Sequence, residues 1–276
     1  MLKIVALVII GLAFGSFVNA LVWRLHEQSK DKNKTRLKEL SITHGRSMCP
    51  HCHHILVWQD LIPVLSWLSL KGKCRYCKKP ISTQYPLIEL LTAVLFVFSY
   101  LSWPNLGQAH NWLMFLAWLP LLTVLIALLL YDLKWMLLPN SLVAWAFGLS
   151  LVQLGLRFGF GGHEFSLIIQ AILATFVLGG LFYLLFTISD GKWIGGGDVK
   201  LGVVLGLVVG RPVLAASVLF LASLLGTVYS LPQLMNHKLK TSSKIPFGPF
   251  LIIASITIYL LSSSLQTWLQ HHLFLA

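Results

Sequence analysis

The chain has 276 residues, 57% of them hydrophobic and only 11% charged, with ten Trp. That charge content is too low to clothe a water-soluble domain of this size, which excludes a soluble enzyme or binding module and points to a membrane protein. The formal net charge of +12 admits nucleic acid, acidic lipid or a topology signal, and the placement of the charges decides among them.

In chain order, apolar stretches able to cross a bilayer are expected at residues 2–23, 85–103, 112–131, 141–157, 166–188, 199–210, 212–234 and 247–265. The stretch 199–210 is short and glycine-rich and is the weakest of them. The expected fold class is therefore an all-α polytopic membrane protein of about eight transmembrane helices, with both termini on one side. Residues 24–84 form one hydrophilic loop and hold twelve of the twenty-one Lys and Arg. Lys134, Lys192, Lys200, Lys238, Lys240 and Lys244 follow on the same side, and only Lys3, Arg157 and Arg211 fall on the other. This bias assigns the loop to the cytoplasm. Nucleic-acid binding is the weaker reading, because no platform of stacking aromatics is interleaved with the basic residues. A cleavable signal peptide is a second reading of the N-terminus, with Lys3 as its basic region and Val18-Asn19-Ala20 as a cleavage site. Against it stand the length of the apolar run and the basic stretch after it.

The organisation expected is a first helix (1–23), the loop (24–84) and a membrane domain (85–276). The loop's first half, 29–46, is polar and charged and matches no motif. Its second half carries all four cysteines, as Cys49-Pro50-His51-Cys52 and Cys74-Arg75-Tyr76-Cys77. Two C-x-x-C knuckles at this spacing match a zinc ribbon, in which four thiolates close a tetrahedral site. Disulfides are the alternative, disfavoured in a reducing compartment. His51, His53 and His54 could replace a thiolate, although four thiols already suffice.

Nine Asp and Glu are present. Glu27, Asp31, Glu39 and Asp60 belong to the hydrophilic loop, and Glu89 suits the start of the second span. Asp132 and Asp198 differ, because both fall at the cytoplasmic boundary of apolar segments although 66 positions separate them. Ionisable groups at membrane depth mark function by default. Two converging carboxyls can share one proton, so that one activates water while the other polarises a carbonyl. Gly195, Gly196 and Gly197 precede Asp198, and Gly195 and Gly197 could let a substrate backbone approach it. The bland alternatives are solvated interfacial aspartates, or a helix N-cap at Asp198. Lys134 and Lys200 read as snorkelling or topology residues, with a direct role as the alternative, and Asn19 as a helix–helix hydrogen-bonding group in preference to part of a site.

These residues resemble the bacterial type IV prepilin leader peptidases. The resemblance runs nearly end to end: Gly15-Ser16-Phe17-Val18-Asn19 with Trp23-Arg24-Leu25, the paired knuckles enclosing Ile62-Pro63-Val64-Leu65-Ser66-Trp67-Leu68, and Gln84-Tyr85-Pro86-Leu87-Ile88-Glu89. Asp132 with Leu138-Pro139-Asn140, Gly195-x-Gly197-Asp198 and Ile245-Pro246-Phe247-Gly248-Pro249-Phe250 complete it. Some members carry Asp where this chain has Asn140. The resemblance implies an inner-membrane aspartic peptidase, with Asp132 and Asp198 catalytic, that removes the basic leader of prepilins and type II secretion pseudopilins. It further implies N-methylation of the new terminus from S-adenosylmethionine, because the cysteine loop accompanies the methyltransferase-containing members, with no residue assignable to that donor. The spacing itself assigns structural zinc to Cys49, Cys52, Cys74 and Cys77. Membrane lipid is the other expected partner, nucleic acid is not one, and the oligomeric state is open. Two rival functions remain: a zinc-clamped scaffold for pilus or secretion assembly, and a transporter using the aspartates as an ion path.

Overall fold

The computed structural model describes residues 1–30, 38–161, 163–235 and 246–262. Asp31, Lys32, Lys34, Lys238, Lys240, Lys244, Gly162 and Ile245 lie outside them. The described residues are helical apart from turns and two isolated β-bridges. The long helices are α1 (Leu2–Lys30), α3 (Gln84–Ser102), α4 (Ala109–Trp135), α5 (Asn140–Phe160), α6 (Phe165–Ile188) and α8 (Pro212–Met235), with α2 (Leu65–Ser69) in the loop. Among the described residues, six helices are long and apolar enough to cross a membrane. The other two expected spans are helical but short: α7 (Gly196–Val209) has 14 residues and α9 (Gly248–Leu260) has 13. At 1.5 Å per residue, α7 rises only about 21 Å, less than a hydrocarbon core. The cause is legible in the chain, where Gly195 and Gly210 bound α7 on either side.

The chain forms two compact units, Met1–Leu101 and Ser102–Ala276. The expected boundary between residues 84 and 85 thus falls inside the first unit, which takes α3 with it.

In unit 1, α1 and α3 touch at two glycines. A side chain at Gly11 would strike the backbone of Ala93, and one at Gly15 the backbone of Glu89. Small residues permit such close approach where lipid supplies no hydrophobic drive for helix association. Asn19 then bridges the pair: its amide donates to the carbonyl of Tyr85 at 3.1 Å and accepts from Gln84 at 3.1 Å. Arg24, toward the C-terminal end of α1, donates to the carbonyls of Ser41 (2.8 Å) and Gly45 (3.0 Å), tying down residues 41–45.

In unit 2, α4 is the central helix. Phe115, Trp118 and nearly every residue from Leu119 to Asp132 are buried. Its neighbours are α5 and α9, and Trp118 stacks on Tyr259 of α9 with ring centroids 4.1 Å apart. The short α7 packs against α5, α6, α8 and α9. Its glycines make this possible: a Cβ on Gly206 would collide with Thr175, and one on Gly202 would sit 3.1 Å from Gly179. Gly179 lies in a π-turn, Phe176–Gly180, which locally widens α6 where α7 meets it.

Candidate functional site

The two knuckles repeat one backbone design. The N–H of His53 donates to Cys49 O and that of Cys49 to His54 O, both at 3.0 Å. The N–H of Lys78 donates to Cys74 O (3.0 Å) and that of Cys74 to Lys79 O (2.9 Å). His53 and Lys78 both take positive φ, 54° and 60°, closing each turn. The result gathers the four sulfurs within 4.8 Å of one another, with Cys49 and Cys77 Sγ 4.0 Å apart. That spacing suits four thiolates around one tetrahedral ion, whose sulfurs stand roughly 3.8 Å apart at zinc–sulfur bond lengths, and it is about twice a disulfide bond. Burial pushes the Cys49 thiol up to about 11. Cys74 is also buried, but the N–H groups of Cys77 and Tyr76 and the neighbouring sulfurs outweigh that and bring it down to about 7. None of the three histidines joins the cluster; His54 lies against Tyr76 instead, the rings tilted by 35° with centroids 3.6 Å apart.

Two carboxylates brace this loop. Asp60 accepts from Arg75 Nε (2.7 Å) and Tyr76 Oη (3.3 Å), fastening the turn Trp58–Leu61 to the second knuckle. Glu89 is buried and accepts the N–H of Val64 at 2.7 Å, where Val64 holds φ +61°. The sequence suggests only a helix-start role for Glu89; its hold on the loop depends on a partner 25 residues away.

In unit 2, α4 stops just past Asp132. Met136 takes a left-handed φ of 52° and its N–H returns to the Asp132 carbonyl at 2.8 Å. Asp132 is 5% exposed, and its Oδ2 is buried with no hydrogen-bond partner. An orphaned carboxylate oxygen in a helical membrane protein is costly and calls for an explanation. Space for it comes from Gly248, the first residue of α9: a Cβ there would collide with Asp132 Oδ2 and lie 3.4 Å from Leu201. The motif around Gly248 is legible in the sequence, but its task is not, because no side chain announces it.

Asp198 occupies the first turn of α7, with its N–H bonded to Gly195 O at 3.0 Å. The motif that carries it is brought to the end of the unit where α4 stops past Asp132, 66 positions earlier in the chain. The preceding glycines divide. Gly195 is open, with only Asp198 Oδ2 and Gly197 N within 4 Å of a notional Cβ. Gly197 faces Leu138, 3.2 Å from such a Cβ, so it serves packing between the two aspartate motifs. Lys200 Nζ links the same motifs by donating to Asn140 Oδ1 at 2.8 Å. The sequence reads this lysine as a topology residue first, with a direct role as the alternative, and does not name Asn140 as its partner.

Comparison with known proteins gives the same division and order. Residues 9–103 match the bacterial peptidase A24 N-terminal domain, and residues 119–231 match the type IV leader peptidase family. A prepilin leader peptidase/N-methyltransferase of Aeromonas hydrophila is 39% identical over 81% of this chain and 74% of its own. A protein of the same name from Aeromonas salmonicida (strain A449) is 34% identical over 94% and 90%. A type 4 prepilin-like proteins leader peptide-processing enzyme of Escherichia coli O78:H11 is 34% identical over 91% of both chains. No solved structure matches. With two domain models in tandem and relatives aligned over most of its length, the chain belongs to the type IV leader peptidase family.

Proposed function

We propose that the protein is an aspartic endopeptidase of the bacterial inner membrane that removes the leader of prepilins and pseudopilins, with Asp132 and Asp198 as its catalytic pair. The observation that carries this reading is that the two aspartate motifs are joined at one end of unit 2, by Lys200 on Asn140 and Gly197 against Leu138, with Asp132 bearing a buried oxygen without a partner. Lys134, Lys192 and Lys200 gather at that end by chain position, against Arg157 and Arg211 at the other. The positive-inside bias then makes the aspartate end, and the basic loop, cytoplasmic.

In this mechanism the substrate's backbone is extended past the open Gly195. One carboxyl of the pair is ionised and the other keeps its proton, since adjacent like charges resist double ionisation. The ionised carboxylate takes a proton from water as the oxygen attacks the scissile carbonyl carbon. The neutral carboxyl polarises that carbonyl. Collapse of the tetrahedral intermediate breaks the C–N bond, and the leaving amine receives a proton from the pair. Asn140 and Lys200 position the two aspartate motifs against each other without touching the substrate.

The cysteine quartet fits structural zinc, held by Cys49, Cys52, Cys74 and Cys77. We assign the zinc no chemistry beyond clamping a loop too small to build a core. N-methylation of the new terminus, the activity in the relatives' names, belongs to the same proposal. S-adenosylmethionine, when bound, would supply an electrophilic methyl group to the free amine. Unit 1 offers it a cavity of about 560 Å³ whose walls include Trp23, a face for stacking, and Glu39, an acceptor for hydroxyls. The test is mass spectrometry of a purified prepilin incubated with the purified protein, with and without S-adenosylmethionine. Leader loss, plus one methyl when the donor is present, is expected. An intact prepilin favours the scaffold or transporter reading.

A further inference from the structure

Three cations depart from the positive-inside bias, and two of them meet. Arg157, near the end of α5, and Arg211, just before α8, line one cavity of about 290 Å³ with Trp103, Tyr259, Asn111 and Gly210. This cavity lies at the end of unit 2 opposite the aspartates. Asn111 and Asp132 are 21 residues apart on α4, about 31 Å of helix rise, which is the thickness of a hydrocarbon core.

Arg157 is held in place. Its guanidinium lies 5.0 Å from the centroid of the Tyr259 ring, and its Nη1 rests over Gly210, where a Cβ would come within 3.0 Å. Gly210 caps α7 with φ +70°, so the same glycine that ends the helix also admits the guanidinium. The carbonyl end of α7 accounts for one positive charge nearby. It does not account for a second on the same cavity. Among the described residues the one ion pair is Arg75–Asp60, so neither arginine has a carboxylate partner. Snorkelling would send each arginine separately to the interface; here both border one pocket. Two guanidiniums at a membrane face present forked donors that match a phosphate group, and Trp and Tyr rings favour headgroup depth.

We propose that this cavity is a phosphate-binding site at the face opposite the aspartates, sized for a phospholipid headgroup, with Arg157 and Arg211 as its charged ligands. The chemistry is that of a phosphate oxyanion, whether carried by a lipid or free.

The test is native mass spectrometry of the delipidated full chain in detergent, titrated with phosphatidylglycerol. Diacylglycerol serves as the phosphate-free control and inorganic phosphate as the competitor. One tightly retained phosphatidylglycerol is expected, bound roughly tenfold more weakly by the Arg157→Gln/Arg211→Gln variant. Because Arg157 packs on Tyr259, the exposed Arg211→Gln change alone is the second variant, with a several-fold weakening expected. Displacement of the lipid by millimolar inorganic phosphate supports the site and shows that the phosphate group alone suffices. Resistance to displacement supports it and makes the lipid the ligand. Equal lipid binding by wild type and both variants, or equal retention of diacylglycerol, overturns the proposal. Leader cleavage, at the other end of the unit, is expected to be unchanged in both variants, so the two proposals fail separately.

Discussion

Asp132 illustrates how much one residue's setting depends on a residue with no side chain. Its buried Oδ2 fits only because Gly248 lacks a Cβ. Gly248→Ala is expected to destabilise by about 1–3 kcal/mol through overpacking and to lower the cleavage rate at least tenfold by displacing the carboxyl. Thermal unfolding and single-turnover cleavage read the two effects separately; a variant with unchanged rate would remove Gly248 from the site. The acid limb and the base limb of the rate profile belong to the same pair. A dyad that works with one proton loses activity when both carboxyls are protonated and again when both are ionised. A bell-shaped profile of kcat/KM is therefore expected, and a single sigmoid would mean that one aspartate acts alone. The proposed pair stands out in the sequence as rare carboxylates beside apolar runs. Gly248, and the Lys200–Asn140 bond spanning 60 positions, do not, since neither a missing side chain nor a long-range partner leaves a local pattern.

At the scale of elements, the knuckles were legible because C-x-x-C spacing fixes a local turn, and the repeated hydrogen bonds at Cys49 and Cys74 are that turn. Metal uptake must displace thiol protons. With Cys74 near 7 and Cys49 held up near 11, zinc affinity is expected to rise with pH and to weaken as pH falls through about 7, where Cys74 regains its proton. Zinc-competition titrations between pH 6 and 8 check the sign. Cys74→Ser is expected to lose the metal and expose residues 47–81 to protease, measured by metal content and limited proteolysis. A protease-resistant, metal-free loop would contradict a structural ion. Helix lengths were less legible. Apolar runs mark where α4 and α6 lie, and the short glycine-rich stretch 199–210 anticipates the 14 residues of α7, but the close packing of α7 on α6 is something hydropathy does not register.

Across the whole molecule, one charge pattern separates the two proposed sites. Basic residues crowd the aspartate end of unit 2 in the sequence, and the two exceptions, Arg157 and Arg211, converge on a cavity at the far end. The exceptions were visible in the chain, but their convergence requires the ends of α5 and α7 and the start of α8 to coincide. The division into Met1–Leu101 and Ser102–Ala276 was equally hidden. It depends on α3 packing with α1 through Gly11 and Gly15, contacts that hydropathy does not encode.

The most direct test of the catalytic pair is a double-mutant cycle on leader cleavage, comparing Asp132→Asn, Asp198→Asn and the double variant under single-turnover conditions. Two carboxyls acting on one water should each cost on the order of 10²–10⁴ in rate, and losing both should cost little more than losing either, because groups that work as a unit are not additive. Independent, multiplying losses, or substantial cleavage by either single variant, would contradict a shared site.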